Sequence, residues 1–259
     1  MIPLNFALFH SGGPLTYLRY LTFKTLRHFH PQSKIQLYVA KECNINGCEW
    51  TEQQQDFQHL NQYGHNYLDD LKKLDVEVIT EDFFPKYAPN YQADIKRWQW
   101  LRDNGGIFLD TDQIILQSFK SLPLHSEFIY TNSNRYFPVG VIGLEKGSPI
   151  AIKINEEIES YYNIKDYNCL GPGMLMRIAP KLDLSKSFNA PTKYFYPMPF
   201  PDFVYKLYNG EVKVSFENYA LHWYAGHPLS QCFNEKYTEE LAKTSKDTIS
   251  VFLRNKEII

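Results

Sequence analysis

Short apolar runs alternate with longer amphipathic stretches through the first half of the chain. LNFALFH, residues 4–10, is a strand-length run closed by SGGP, and LTYLRYLTFKTLRHFH, residues 15–30, repeats apolar residues at helical spacing until Pro31. KIQLYVA (34–40) predicts a second strand, a polar stretch from about Thr51 to Lys73 has a helical pattern, and VEVIT (76–80) predicts a third strand. Strands that alternate with helices imply a parallel sheet covered on both faces.

NYQADIKRWQWLRD, residues 90–103, predicts a helix stopped by Asn104-Gly105-Gly106, after which IFLD is a buried strand. Beyond it, EFIYT (127–131) and VGVIGLE (139–145) read as strands, SPIAIKINEEIESYYN (148–163) as a helix, and GPGMLMRIA (171–179) as a turn entering a helix. APTKYFYPMPFPDF (190–203) reads as a long connection, within which YFYPMPF is expected to be a mobile aromatic loop. EVKVSF (211–216) and YALHWY (219–224) are candidate strands, and Glu235 to Arg254 is expected as one charged amphipathic helix. With no repeat, low-complexity tract or linker, a single domain spanning 1–259 is expected.

Composition narrows the class. A net charge of −2 with scattered lysines gives no sign of a nucleic-acid surface. No window reaches the roughly 18 apolar residues that a membrane span needs, and the start lacks a secretory leader, so a cytoplasmic protein is expected, with peripheral membrane contact left open. Cys43, Cys48, Cys169 and Cys232 have no zinc-like spacing and suit a reducing compartment.

The candidate chemistry lies in GGIFLDTDQIIL, residues 105–116. Asp110 and Asp112 stand at the carboxyl end of an apolar strand, where open α/β sheets bind ligands, and residues two apart in a strand share a face. Two carboxylates that close require a cation, a shared proton or donors between them, and a hard divalent cation is the best fit; a solvated turn is the bland alternative. On the preceding helix, Asp94, Arg97, Trp98 and Leu101 fall on one face, so Asp94 and Arg97 either reach a ligand crevice, outside the core, or form an i, i+3 salt bridge. The HSGGPL turn could let backbone approach a phosphate or base, although it is neither G-x-G-x-x-G nor a Walker loop. FLDTDQI also suits a haloacid dehalogenase-like phosphatase with Asp110 as nucleophile, but no second acidic motif follows a later apolar run.

ADIKRWQWLRDNGGIFLDTD, residues 93–112, resembles the DXD-containing GT-A glycosyltransferases of the sugar-binding-region type. That group includes the fungal initiating α-1,6-mannosyltransferase, bacterial capsular enzymes and, distantly, the clostridial glucosylating toxins. NFALFHSGGPL, CLGPGMLMR, YFYPMPF and ALHWYAG echo further segments, so the resemblance runs over most of residues 3–226. It implies a Rossmann-like GT-A fold with a mostly parallel central sheet flanked by helices, a nucleotide-binding part over about 1–116 and an acceptor and sugar part over about 117–259. The implied activity is metal-dependent, retaining hexosyl transfer from a nucleotide sugar, UDP-hexose ahead of GDP-mannose. The acceptor would be a glycan or lipid-linked oligosaccharide in surface polysaccharide or glycoconjugate synthesis. An inactive glycan-binding module is the non-catalytic alternative.

Carried over by position, Asp94 and Arg97 would hold hydroxyls of the donor sugar, Asp110 would contact ribose and sugar, and Asp112, with His222 and Asp110, would hold Mn²⁺ or Mg²⁺. His10, Ser11, Gly12 and Gly13 in the first loop, Gly171, Pro172 and Gly173, and Trp223 would bind substrate. The chain has His10 where many relatives carry a tryptophan, and Gly226-His227 where a Ser-Trp pair is usual, so base and diphosphate contacts are expected to differ.

Overall fold

The structure is a computed structural model that describes residues 1–11, 13–41, 64–82, 87–198 and 202–259. Its centre is a seven-stranded sheet in the order β3-β2-β1-β4-β7-β6-β8. The strands are β1 (Phe6–His10), β2 (Ile35–Ala40), β3 (Glu77–Glu81), β4 (Gly106–Leu109), β6 (Phe128–Tyr130), β7 (Val141–Leu144) and β8 (Ser187–Asn189). Strands β3, β2, β1 and β4 are mutually parallel, as expected, whereas β7 runs against both β4 and β6. The sheet is therefore mostly parallel, with one reversed strand. A second, two-stranded sheet pairs β5 (Gln113–Ile115) with β9 (Ala220–His222).

Strand alternation assigns the core. Ala7 and Phe9 of β1 pack with Trp98 and Leu101 on one face, while Phe6 and Leu8 pack with Phe23 and Leu26 on the other. The first face is covered by α2 (Pro89–Asn104), α3 (Pro149–Glu157) and α4 (Pro172–Ile178), the second by α1 (Tyr17–Phe29). A third cluster joins Ile114 and Leu221 of the small sheet to Leu18 and Leu21 of α1 and to Leu253 near the C-terminus.

Helix α2 stops where the glycines require it. Gly105 has φ +66 and returns its N–H to Leu101, and Gly106 has φ +122, with Asn5 O only 2.6 Å from where a Cβ would stand. Only glycine adopts this backbone without strain and admits that contact. The chain then drops directly into β4, carrying Asp110 to the carboxyl edge of the sheet.

Several expectations change. The C-terminal stretch is three helices instead of one, α6 (Pro228–Lys236), α7 (Glu239–Thr244) and α8 (Thr248–Asn255), because Thr238 and Asp247 cap new N-termini through their side chains. EVKVSF forms no strand: Val212 packs into the third cluster without a ladder partner among the described residues. The aromatic loop is anchored over Tyr194–Tyr196, since Phe195 is fully buried and Tyr194 packs beside Tyr219; large rings contribute too much buried area to stay loose. Helix α5 (Asp202–Tyr208) follows it. Residues 51–63 of the polar stretch lie outside the described residues, and Asp69–Leu74 is a 3₁₀ turn. No described helix is long and apolar enough to cross a membrane.

Candidate active site

Asp110, Thr111 and Asp112 form a turn between the two sheets, not a continuing strand, so their convergence comes from the chain's change of direction. The turn is held on every side. Asp110 N donates to Gly140 O at 2.9 Å, and Trp223 N donates to Asp112 O at 3.0 Å. From α1, Thr22 donates to Thr111 O at 2.8 Å, and the Arg19 guanidinium bonds the Thr111 hydroxyl. The acidic pair is thus fixed in place before any ligand arrives.

Helix α2 supplies the second half of the site. Arg97 pairs with Asp94 one turn away and, through Nη2, with Asp110 Oδ1 at 2.6 Å. Both sequence readings are realised at once, the i, i+3 ion pair and the place at a crevice. The expectation that both residues stay outside the core needs correction: Arg97 is 2% exposed and Asp94 7%, and the guanidinium lies over the Phe108 ring. The long arginine reaches the sheet edge through apolar surroundings, and its two carboxylate partners keep the charge satisfied there. Burial, offset in part by Arg97 and reinforced by Asp110, raises the Asp94 carboxyl to about 6. Gly171 lets that carboxylate approach, because a Cβ there would lie 2.8 Å from Asp94 Oδ2.

Asp112 meets His222, which the β5–β9 register sets opposite Gln113. Its Oδ2 accepts from Ala225 N at 2.9 Å. Its Oδ1 lies 2.9 Å from His222 Nε2, yet that nitrogen makes no aligned hydrogen bond. Burial alone would push the Asp112 carboxyl up, but His222, Arg19 and the Ala225 N–H outweigh it and hold it at about 2, ionised at neutral pH. Burial lowers the His222 pKa, and Asp112 and Asp110 more than compensate and raise it. One ligand atom each from Asp110, Asp112 and His222 lie within 4.8 Å of one another. Two carboxylate oxygens and an imidazole nitrogen without an aligned partner fit a divalent cation.

These groups line one crevice of about 850 Å³, a volume suited to a nucleotide-sized ligand. His10, Ser11 and Pro172 also line it. His10 is buried, and burial followed by the charge of Arg19 lowers its pKa to about 4, so the ring is neutral; its Nε2 lies 3.1 Å from Gly13 O. Gly12 lies outside the described residues. Gly173 belongs to α4, its Cα side facing Asn168 O, and does not line the crevice. Trp223 is corrected: it is fully buried in the third core cluster under the Arg19 guanidinium, while its neighbours Tyr224 to Pro228 line the crevice. An indole of that size, buried just past the small sheet, contributes more as core than as ligand contact.

Sequence reasoning missed Arg19, Tyr136, Tyr196 and Tyr224, all of which line the crevice. On α1 the available signal was Thr22, one turn from Arg19, which interrupts an apolar stripe.

Residues 20–129 match the model of a family described as the glycosyltransferase sugar-binding region containing the DXD motif, with Asp110 and Asp112 inside the match. The match is to the enzyme class expected from the sequence. No curated protein matches. Among solved structures the chain is similar to "PaToxG Glycosyltransferase" at 18% identity, with 98% of this chain and 86% of that one covered and a TM-score of 0.49. It is similar to the glycosyltransferase GlyE of Streptococcus pneumoniae at 13% identity, covering 99% of this chain and 64% of that one, with a TM-score of 0.49. It is also similar to the galactosyltransferase LgtC at 13% identity, covering 92% and 99%, with a TM-score of 0.43.

Proposed function

We propose that the chain transfers a hexose from a nucleoside diphosphate sugar to a glycan or lipid-linked acceptor, with Mn²⁺ or Mg²⁺ held by Asp112, His222 and Asp110. UDP-hexose ranks before GDP-mannose, and retention of configuration is expected, both on the resemblance. The observation that carries this reading is the meeting of two acidic systems at one crevice end, Asp94–Arg97–Asp110 and Asp112–His222.

The charges call for that chemistry. Among crevice-lining residues, three carboxylates, Asp94, Asp110 and Asp112, face two guanidiniums, Arg19 and Arg97, and Arg97 is already committed to two of the carboxylates. A diphosphate entering this surface brings further negative charge, so additional positive charge must arrive with it. When bound, a divalent cation supplies Lewis acidity that stabilises charge developing on the departing nucleotide.

The chain's own groups do the rest. Asp94, fixed by Arg97 and pressed against Gly171, presents Oδ2 to accept from a sugar hydroxyl. Arg97 is shared, so its position fixes both carboxylates and with them the sugar's orientation. His10, neutral and lining the crevice, offers a flat ring for a base. The nucleotide-binding part is assigned to about 1–116 and the acceptor and sugar part to about 117–259. A screen of nucleotide sugars for metal-dependent hydrolysis and thermal stabilisation tests the assignment. Stabilisation and turnover by at least one donor are expected; no response to any donor with either metal would reject it.

A further inference from the structure

Tyr136 closes a two-residue hairpin turn at the crevice. Ser133 N donates to Tyr136 O at 2.8 Å and Tyr136 N to Ser133 O at 2.9 Å, and between them Asn134 and Arg135 hold φ at 51° and 69°. A turn of this kind takes left-handed backbone at both central positions, which asparagine tolerates and arginine adopts only against strain. Asn132 Oδ1 accepts from Arg135 N at 3.0 Å, and the next ring, Phe137, is buried and stacks on Tyr130. The turn is thus pinned, yet Tyr136 itself is left 45% exposed on the crevice wall. Its hydroxyl senses the acidic end of the site, since burial and then the charges of Asp94 and Asp110 raise its pKa.

Tyr167 reaches the same crevice from a loop that is held as firmly. Its carbonyl accepts from Asn90 Nδ2 at 3.1 Å, and the Tyr91 hydroxyl beneath the loop lies 3.2 Å from Ile164 O and 3.3 Å from Asp166 O. On this fixed backbone Tyr167 is 42% exposed. Two large rings kept half in water at one crevice are a surface awaiting a partner.

The lining sets the partner's chemistry. Among the described residues, formal charge on the crevice is confined to Asp94, Arg97, Asp110, Asp112 and Arg19. The lining residues that flank the two rings, Asn90, Ser133, Pro138 and Asn168, are neutral, and Arg135 at the turn's tip does not line the crevice. A phosphate or a sugar carboxylate would find no cation beside these rings. A neutral pyranose fits them, with a face of C–H bonds to lie on an aromatic ring and a rim of hydroxyls for amide and hydroxyl neighbours.

We infer that Tyr136 and Tyr167 form the platform that receives the acceptor, and that the acceptor presents a neutral pyranose to it. The inference rests on the proposed glycosyltransferase function and narrows its acceptor. Tyr136, with its hydroxyl end towards Asp94 and Asp110, sets the acceptor sugar next to the donor.

The test follows hydrolysis and transfer of UDP-glucose and GDP-mannose with Mn²⁺. Methyl glucoside, methyl galactoside, methyl mannoside and lactose serve as neutral acceptors, and methyl glucuronide and glucose 6-phosphate as acidic ones. Wild type is expected to transfer to at least one neutral sugar, with kcat/KM for the acidic acceptors at least about 10-fold lower. Tyr136→Ala and Tyr167→Ala should each raise the acceptor KM by about 10-fold, and Tyr136→Phe and Tyr167→Phe, which keep the ring, should recover most of the affinity. A merely structural role would lower transfer and hydrolysis in the same proportion and leave the acceptor KM unmoved. An unmoved acceptor KM in both alanine variants, or a preference for the acidic acceptors, overturns the platform. Wild type that hydrolyses a donor but transfers to none of the neutral sugars also overturns it, while the donor site stands. Wild type that neither binds nor hydrolyses either donor overturns both.

Discussion

Arg97 Nη2 lies 2.6 Å from Asp110 Oδ1, so a single buried guanidinium ties helix α2 to the end of β4. The same guanidinium holds Asp94, which makes it both a structural and a functional group. Removing one partner of a buried ion pair leaves charge uncompensated, at a cost of about 3–5 kcal/mol. Arg97→Ala should therefore lose stability of that order in urea denaturation as well as turnover. Arg97→Lys should recover part of the stability but little activity, since an ammonium cannot bridge both carboxylates in the same plane. An Arg97→Ala protein as stable as wild type would show that the buried triad carries no net energy.

The raised Asp94 carboxyl predicts a pH dependence. With a pKa of about 6, Asp94 is half protonated near pH 6, and only the ionised form accepts fully from a sugar hydroxyl. Turnover should rise through an acid limb centred near pH 6, and the residual activity of Asp94→Asn should lack that limb. Stability runs the other way. The folded pKa lies above the unfolded one, so the contribution of Asp94 is fully present below about pH 4 and is lost as pH rises through 6. Comparing urea midpoints of wild type and Asp94→Asn from pH 4 to 8 checks the sign.

Much of this site was legible in the sequence, for reasons that can be separated. The Asp94-to-Asp112 block combined a helical face, a double-glycine stop and an apolar strand, all local patterns, and each stands where those patterns set it. Arg19, Tyr136 and Tyr196 come from α1, a loop and the segment before α5, and only the tertiary fold brings them to the crevice. Trp223 was misassigned because a His-Trp pair at a strand end does not reveal which side chain faces inward; pairing with β5 turns His222 to the acidic turn and Trp223 to the core. The reversal of β7 was likewise hidden, since a four-residue apolar strand reads the same in either direction.

Two buried histidines predict acid sensitivity. Burial, aided by Arg19, lowers His10 to about 4, and burial, aided by Lys120, lowers His30 to about 4. Their folded pKa values lie below the unfolded value, so the unfolded chain takes up protons first as pH falls through about 6.5. Stability should decline from there down to about pH 4, each histidine contributing about 3 kcal/mol at most. His10→Gln should flatten its share of that slope in melting experiments at pH 4 to 7. An unchanged slope would mean that the His10 ring is protonated as readily in the fold as in the unfolded chain.

The central claim is that Asp112 and its neighbours hold a divalent cation jointly with a nucleoside diphosphate. Asp112→Asn can keep an oxygen toward Ala225 N while putting an amide in place of the oxygen that faces His222, so the fold should survive and the cation ligand should not. Calorimetric titration of UDP and GDP into wild type and Asp112→Asn, with Mn²⁺ and with chelator, measures this directly. The account predicts that one nucleotide binds wild type at least about 10-fold more tightly with Mn²⁺ than with chelator, and that Asp112→Asn loses this gain. Equal nucleotide affinity with and without metal in wild type, or a full metal effect in Asp112→Asn, would contradict it.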